Sequence, residues 1–315
     1  MTLETDAILD RRALRRRLAG WRVGAVALAI AAVVLGALAL RGGEGGRGAR
    51  GPHIARIELS GVIFSDEKRD KLLKDLAKSD AKGVLLMIDS PGGGVTASEE
   101  LYDALREVAK DRPVAAVLGS VAASGGYVAA IAADHIVAHK TSITGSIGVL
   151  AQYPNFTGLL KTIGVEVESI KSAPLKASPN GLEPTSPEAR KAIETLILDS
   201  FAWFKEVVKE RRGLDDQALA SVSDGRVFTG RQAIGLKLVD EIGGEKEAMA
   251  WLASKGVDAE LPVRDWKPKS GSWFGFGGAA AALADAAGLP GVAASLRRNG
   301  ERGVLDGLLA IWQPS

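Results

Sequence analysis

Apolar and polar positions change their period several times along this chain, and each change marks an element. IARIELSGVI (54–63) alternates apolar and polar residues and predicts a strand. EKRDKLLKDLAKSD (67–80) spaces its leucines at helical intervals, with charges elsewhere. KGVLLMIDS (82–90) is one continuous apolar run, as expected for a strand covered on both faces. TASEELYDALREVAKD (96–111) reads as a helix with acids early and bases late, the order the helix dipole favours. PVAAVLG (113–119) is a second buried strand. VAASGGYVAAIAAD (121–134) follows as a turn and a small-residue helix, then HIVAH (135–139) as a short strand. Residues 187–213 form a long amphipathic helix, and 214–256 alternate short helices and turns with one strand. Strand–turn–helix repetition predicts an α/β domain with right-handed crossovers over 53–265.

Ahead of that domain the pattern is of another kind. Arg11, Arg12, Arg15, Arg16, Arg17 and Arg22 crowd residues 1–22, and an uncharged apolar run of eighteen residues, Val23–Leu40, follows. At 1.5 Å per residue that run spans about 27 Å, close to a hydrocarbon core. Trp21 would sit at the interface, and the arginines keep residues 1–22 in the cytoplasm. The expectation is a single-pass anchor in the cell membrane with the folded domain on the far side. A signal peptide cleaved near Ala37–Ala39 is the competing reading, and it exports the domain equally. Residues 41–52, RGGEGGRGARGP, read as a flexible tether. Residues 266–315, rich in glycine and alanine and broken by proline, read as a loosely ordered or partner-contacting tail.

Composition narrows the chemistry. The formal net charge is +2 and aromatics are 5% of residues, which leaves no basis for nucleic-acid binding. Without cysteine there is no thiol nucleophile and no disulfide. His53, His135 and His139 fall in no HExxH pattern, and the latter two read as ordinary strand or edge positions. No cofactor or metal is expected.

Two glycine-rich turns remain. SPGGGV (90–95) lacks the spacing and lysine of a nucleotide loop, but it suits an oxyanion site, where glycine lets an N–H approach a reacting carbonyl. Ser124 lies in the second turn, between two alanines and two glycines, at the start of a helix. It could be an N-cap. It could equally be a nucleophile, with the Gly125 N–H as a donor, if a base were supplied from elsewhere. Lys171 and Lys176 in SIKSAPLKASPNG are candidate bases, and residue chemistry alone does not choose between them.

SPGGGV, GSVAASGGYVAAIAADHIVA, TGSIGV, KSAPLKASP and DGRVFTGRQAIGLKLVDEIGG occur in one order at compatible spacing. Together they resemble the signal peptide peptidase A family in its short, membrane-anchored form. The resemblance implies a crotonase/Clp-protease-like spiral of parallel strands with helices. It also implies a serine–lysine dyad, with Ser124 as nucleophile and Lys176 as general base. Ser146 would orient the lysine, and Gly93 with Gly125 would hold the oxyanion. The substrates implied are remnant signal peptides and other hydrophobic peptides, and the assembly a homo-oligomeric ring of about eight protomers. The chain departs from the family at Ala173, Pro174 and Ala177, where KSGxxKD is usual, and at the single tyrosine Tyr127. A crotonase-like acyl-thioester enzyme and an inactive membrane scaffold are the alternatives.

Overall fold

The computed structural model describes residues 51–268 and 309–311. The basic segment, the anchor, most of the tether and most of the tail lie outside the described residues. No helix among the described residues is long and apolar enough to cross a membrane.

The core of the fold is three parallel strands: β1 (His53–Ser60), β2 (Ala81–Ser90) and β4 (Val114–Ala123). Between them run α1 (Glu67–Ala77), the short β3 (Gly92–Gly94) and α2 (Val95–Val108). The continuous apolar runs of β2 and β4 are explained by cover on both faces. Val84, Leu86, Ile88, Ala116 and Leu118 face the main core, whereas Leu85, Ala115 and Val117 face a second cluster. α2 buries Val95, Ala97, Ser98, Leu101, Leu105 and Val108, one stripe at helical spacing.

Beyond β4 come α3 (Gly125–Ile131), β5 (His135–Ala138), β6 (Ile143–Gly145) and α4 (Thr157–Thr162). β4 serves two neighbours in succession: Ala115–Leu118 pair with β5, and Val121–Ala123 pair with β6. The chain continues through α5 (Pro187–Arg212), α6 (Asp216–Val222), β7 (Val227–Thr229), α7 (Gly230–Gly235), β8 (Glu241–Ile242), α8 (Glu245–Ser254) and β9 (Val263–Trp266). The last strand described is β10 (Leu309–Ile311).

The main sheet runs β7–β6–β4–β2–β1–β9, with β5 and β8 branching from β4. It is mixed rather than wholly parallel, because β7 returns antiparallel onto β6. β10 pairs antiparallel with β3 in a separate two-stranded sheet. Residues 214–256 hold two strands, β7 and β8, where the sequence pattern predicted one. Trp266 belongs to β9 and not to the tail: its ring stacks on buried His53 with centroids 5.8 Å apart, and its indole N–H donates to His53 Nε2. His135 is likewise more than an edge residue, since it stacks on Trp251 and hydrogen-bonds Glu241.

α5 shows why such a long helix starts and stops. Ser186 caps it by accepting from the Ala189 N–H, Pro187 opens it, and Gly213 closes it at φ +58°. Its C-terminal half packs through Phe204, Val207 and Val208, but Leu196 and Leu198 in the first half are exposed.

Candidate active site

The carboxyl ends of β2, β4 and β6 lie side by side, and the turns that leave them carry Gly93, Ser124 and Ser146. Register makes the convergence concrete. Ser90 lies opposite Ala122, and Ala123 lies opposite Gly145. The Ser124 N–H donates to the Gly145 carbonyl at 2.8 Å, so the turn after β4 is tied to the turn after β6. Buried hydroxyls reinforce the junction: Thr144 Oγ1 donates to the Ala122 carbonyl at 2.7 Å, and Ser142 Oγ donates to Gly119 at 2.6 Å.

Ser124 occupies the N-cap position of α3, and its carbonyl accepts from Tyr127 and Val128 N–H at 2.9 and 3.0 Å. Its hydroxyl makes no capping bond. The backbone there has φ +54° and ψ −119°, a conformation normally left to glycine. A serine that does not cap, held in a strained backbone, costs about 1–3 kcal/mol that the surroundings must supply. The capping explanation therefore fails, because the hydroxyl is free of the bond that a capping serine would make. Ser146 is also at positive φ, +50°, and its N–H donates to the Arg226 carbonyl at 2.8 Å. Both serines are buried, Ser124 at 1% exposure.

α3 is seated by contacts at both ends. All seven of its residues are buried, and Gly126 lies so close to β2 that a Cβ would come within 2.5 Å of the Ser90 carbonyl oxygen. The buried Tyr127 hydroxyl donates to the Leu238 carbonyl at 2.8 Å, and burial pushes that phenol's pKa upward. At the far end Arg211 donates to the Ile131 and Ala133 carbonyls at 2.8 and 2.9 Å, and Arg106 to Ala132 at 2.8 Å. Two cations on the last carbonyls complement the helix dipole. Arg211 is held below the usual arginine range by burial and by Arg106. No local sequence signal points to this clamp, because Arg211 is 80 residues from the carbonyl of Ile131.

β3 is fixed from one side by Ile63, whose N–H donates to Gly92 at 2.8 Å and whose carbonyl accepts from Gly94 at 3.0 Å. Strand alternation turns the Gly93 amide and carbonyl to the other edge, where Ala310 of β10 lies opposite. Gly93 is required here, because a Cβ would come within 1.9 Å of the Ile63 carbonyl oxygen. Ser90 Oγ steadies the turn, accepting from the Gly92 N–H at 3.1 Å and donating to the Gly61 carbonyl at 2.7 Å.

The two lysines lie apart from this junction. Lys176 is exposed, and among the described residues its amine has no hydrogen-bond or ion-pair partner. Within one chain it is therefore not in hydrogen-bond contact with Ser124, and its surroundings are not the apolar pocket that a neutral amine calls for. Lys171 is engaged: its ammonium donates to Ser178 Oγ at 3.0 Å and to the Glu183 carboxylate. That hydrogen bond holds the Glu183 carboxyl below the usual glutamate range. The structure thus brings together Gly93, Ser124, Gly125 and Ser146, and leaves Lys176 on a separate exposed segment.

Comparison with known proteins places the chain among peptidases. Residues 106–259 match the description "Peptidase family S49", and residues 63–144 match "Clp protease". A Synechocystis protein named as a candidate protease is 37% identical over 68% of this chain and 80% of its own length. An Enterococcus faecium protein named as a candidate signal peptide peptidase SppA is 32% identical over 72% of each. "Protease 4" of Haemophilus influenzae is 33% identical over 62% of this chain, which spans 34% of that longer protein. The molecule is a serine peptidase on a Clp-protease-like α/β fold with a mixed sheet. It belongs to the signal peptide peptidase A family, peptidase family S49.

Proposed function

We propose that this peptidase is a membrane-anchored endopeptidase that cuts hydrophobic peptides, remnant signal peptides among them, through a Ser124–Lys176 dyad. The observation that carries the reading is Ser124 itself: a buried serine at φ +54°, free of any capping duty, beside a strand of three glycines. The neutral Lys176 amine takes the Ser124 proton as Oγ attacks the peptide carbonyl, and Gly93 and Gly125 N–H groups hold the oxyanion. Collapse breaks the C–N bond, and the proton passes from Lys176 to the departing amine. Lys176 then deprotonates water, which attacks the acyl-serine and releases the acid. Ser146 orients the amine. No cofactor enters these steps.

The exposure of Lys176 in a single chain fits a dyad completed between copies. Lys176 shares its segment with the exposed apolar residues Phe156, Leu159, Ile163, Val165, Leu175 and Leu182. A patch of that size marks an interaction surface. In this reading a homo-oligomeric ring of about eight copies covers the patch and brings Lys176 of one protomer to Ser124 of the next. The apolar run Val23–Leu40 anchors the ring in the cell membrane, N-terminus inward, with the sites on the extracytoplasmic side, where cleaved signal peptides are released.

The test is fluorophosphonate labelling and hydrophobic-peptide turnover by the detergent-solubilised full chain. Ser124→Ala should abolish both, and Lys176→Ala should abolish turnover. Unfolding the two inactive variants together and co-refolding them should restore activity, because mixed rings pair an intact Ser124 with an intact Lys176. Full turnover by Lys176→Ala would remove the dyad. Failure of the mixture, with each variant folded and assembled, would place the dyad within one chain.

A further inference from the structure

Lys171 and Lys176 lie in one loop, and the structure gives them different roles. The Lys171 side chain is 16% exposed, and its ammonium joins Ser178 Oγ and the Glu183 carboxylate. Asn180 holds the same carboxylate oxygen, its Nδ2 donating to Glu183 Oε1 at 2.6 Å. The Asn180 Oδ1 accepts from the Leu182 and Glu183 N–H groups at 2.9 and 3.3 Å. One cation thus ties together positions 171, 178 and 183.

The chain inside that tie is tightly wound. The Lys176 N–H donates to the Ala173 carbonyl at 3.0 Å and the Ser178 N–H to Leu175 at 3.2 Å, with Ala177 between them at φ +54°. The loop is also seated on its neighbour. The Phe156 N–H donates to the Gly181 carbonyl at 2.8 Å, and a Cβ on Gly181 would come within 2.0 Å of the Pro154 carbonyl oxygen. Lys176 stands near the middle of this knot with its amine unengaged.

We propose that Lys171 is a positioning residue for the peptidase reaction, its tie to Glu183 and Ser178 fixing the loop that presents the Lys176 amine. The proposal rests on the Ser124–Lys176 reading. The Lys171 amine is taken up by the Glu183 carboxylate and Ser178, whereas the Lys176 amine is exposed and unengaged, which separates the two. The exposed turns around the strained Ala177 supply little packing, and the ion pair is the side-chain restraint that spans the loop from 171 to 183. Closing a loop of this length is entropically costly, and a catalytic group displaced by about 1 Å loses on the order of 10²-fold in rate.

The test compares Lys171→Met, Glu183→Gln, Lys171→Glu, the charge swap Lys171→Glu/Glu183→Lys, and Lys176→Ala in the full chain. Lys171→Met and Glu183→Gln should each lower kcat about 10–100-fold. KM and the thermal midpoint should stay put, a split that general damage to the fold would not produce. The swap should recover at least about tenfold over Lys171→Glu alone, because it restores the pair with its sign reversed. If Lys171→Met or Glu183→Gln is misfolded, the swap against Lys171→Glu decides. Lys176→Ala inactive with Lys171→Met at wild-type kcat overturns the positioning role and leaves the dyad standing. A swap no better than Lys171→Glu also overturns it. Lys176→Ala active with Lys171→Met dead overturns both and makes Lys171 the base.

Discussion

Replacing Ser124 by glycine should leave the protein more stable than replacing it by alanine, the reverse of the usual order at a buried position. The reasoning starts from φ +54° and ψ −119°. Any side chain with a Cβ is strained there by about 1–3 kcal/mol, which alanine keeps and glycine relieves. Glycine loses about 0.8 kcal/mol for the missing buried methyl and about 0.7 kcal/mol for its greater freedom when unfolded. With strain near 2 kcal/mol, the balance favours glycine by about 0.5 kcal/mol. Neither variant loses a capping bond, because the hydroxyl makes none. Ala122, two residues earlier within β4 and fully buried, provides the control. There alanine to glycine carries the same two losses without relief and should cost about 1.5 kcal/mol. The contrast of about 2 kcal/mol is the strain itself, and it exceeds the error of urea denaturation at constant m-value. If glycine at 124 costs as much relative to alanine as it does at 122, Ser124 is not strained and the backbone argument for its role fails.

Three other outcomes follow from the same contacts. Arg211→Ala strips two bonds from the end of α3 and should destabilise by about 3 kcal/mol in denaturant melts, given that charged hydrogen bonds contribute about 1.5–3 kcal/mol each. Gly126→Ala must push α3 off β2, because its Cβ meets the Ser90 carbonyl at 2.5 Å; a loss of about 1–3 kcal/mol and a fall in turnover should be measured together. The Glu183 carboxyl is depressed by Lys171, so the loop tie is present above the ordinary glutamate value near 4.3 and is lost as pH falls through the lower folded value. Limited acid-protease cleavage within 171–183 should therefore begin only below the ordinary glutamate value in the native chain, and at every pH tested in Glu183→Gln.

The central strands were legible because both faces of β2 and β4 are covered, which forces an unbroken apolar run such as Leu85–Leu86 onto the sequence. β6, β7 and β8 are two or three residues long and owe their existence to pairing with distant chain, so they leave no period to detect. Leu196 lies near the stripe of α5 that Phe204, Val207 and Val208 mark, and Leu198 on the opposite face; both are exposed, because a helical pattern records apolar positions and not what covers them. At the site, small residues around Ser124 disclosed a close backbone approach, and residue type gave the candidate chemistry. The positive φ of Ser124 and Ser146 was invisible, since serine is not a residue that ordinarily signals that conformation. Residue chemistry alone left Lys171 and Lys176 open and only the resemblance preferred Lys176; that Glu183, twelve positions from Lys171, takes up one of the two amines became visible with the fold.

β3 consists of Gly92, Gly93 and Gly94, and Leu309–Ile311 lies along it by backbone pairing. A strand without side chains presents only amides and carbonyls, so it grips any extended chain by the features all peptides share. Such an edge has no vocabulary for sequence. In the reading proposed above, β3 would hold a substrate by its backbone alone, and any preference for particular residues would have to come from the side chains around that edge.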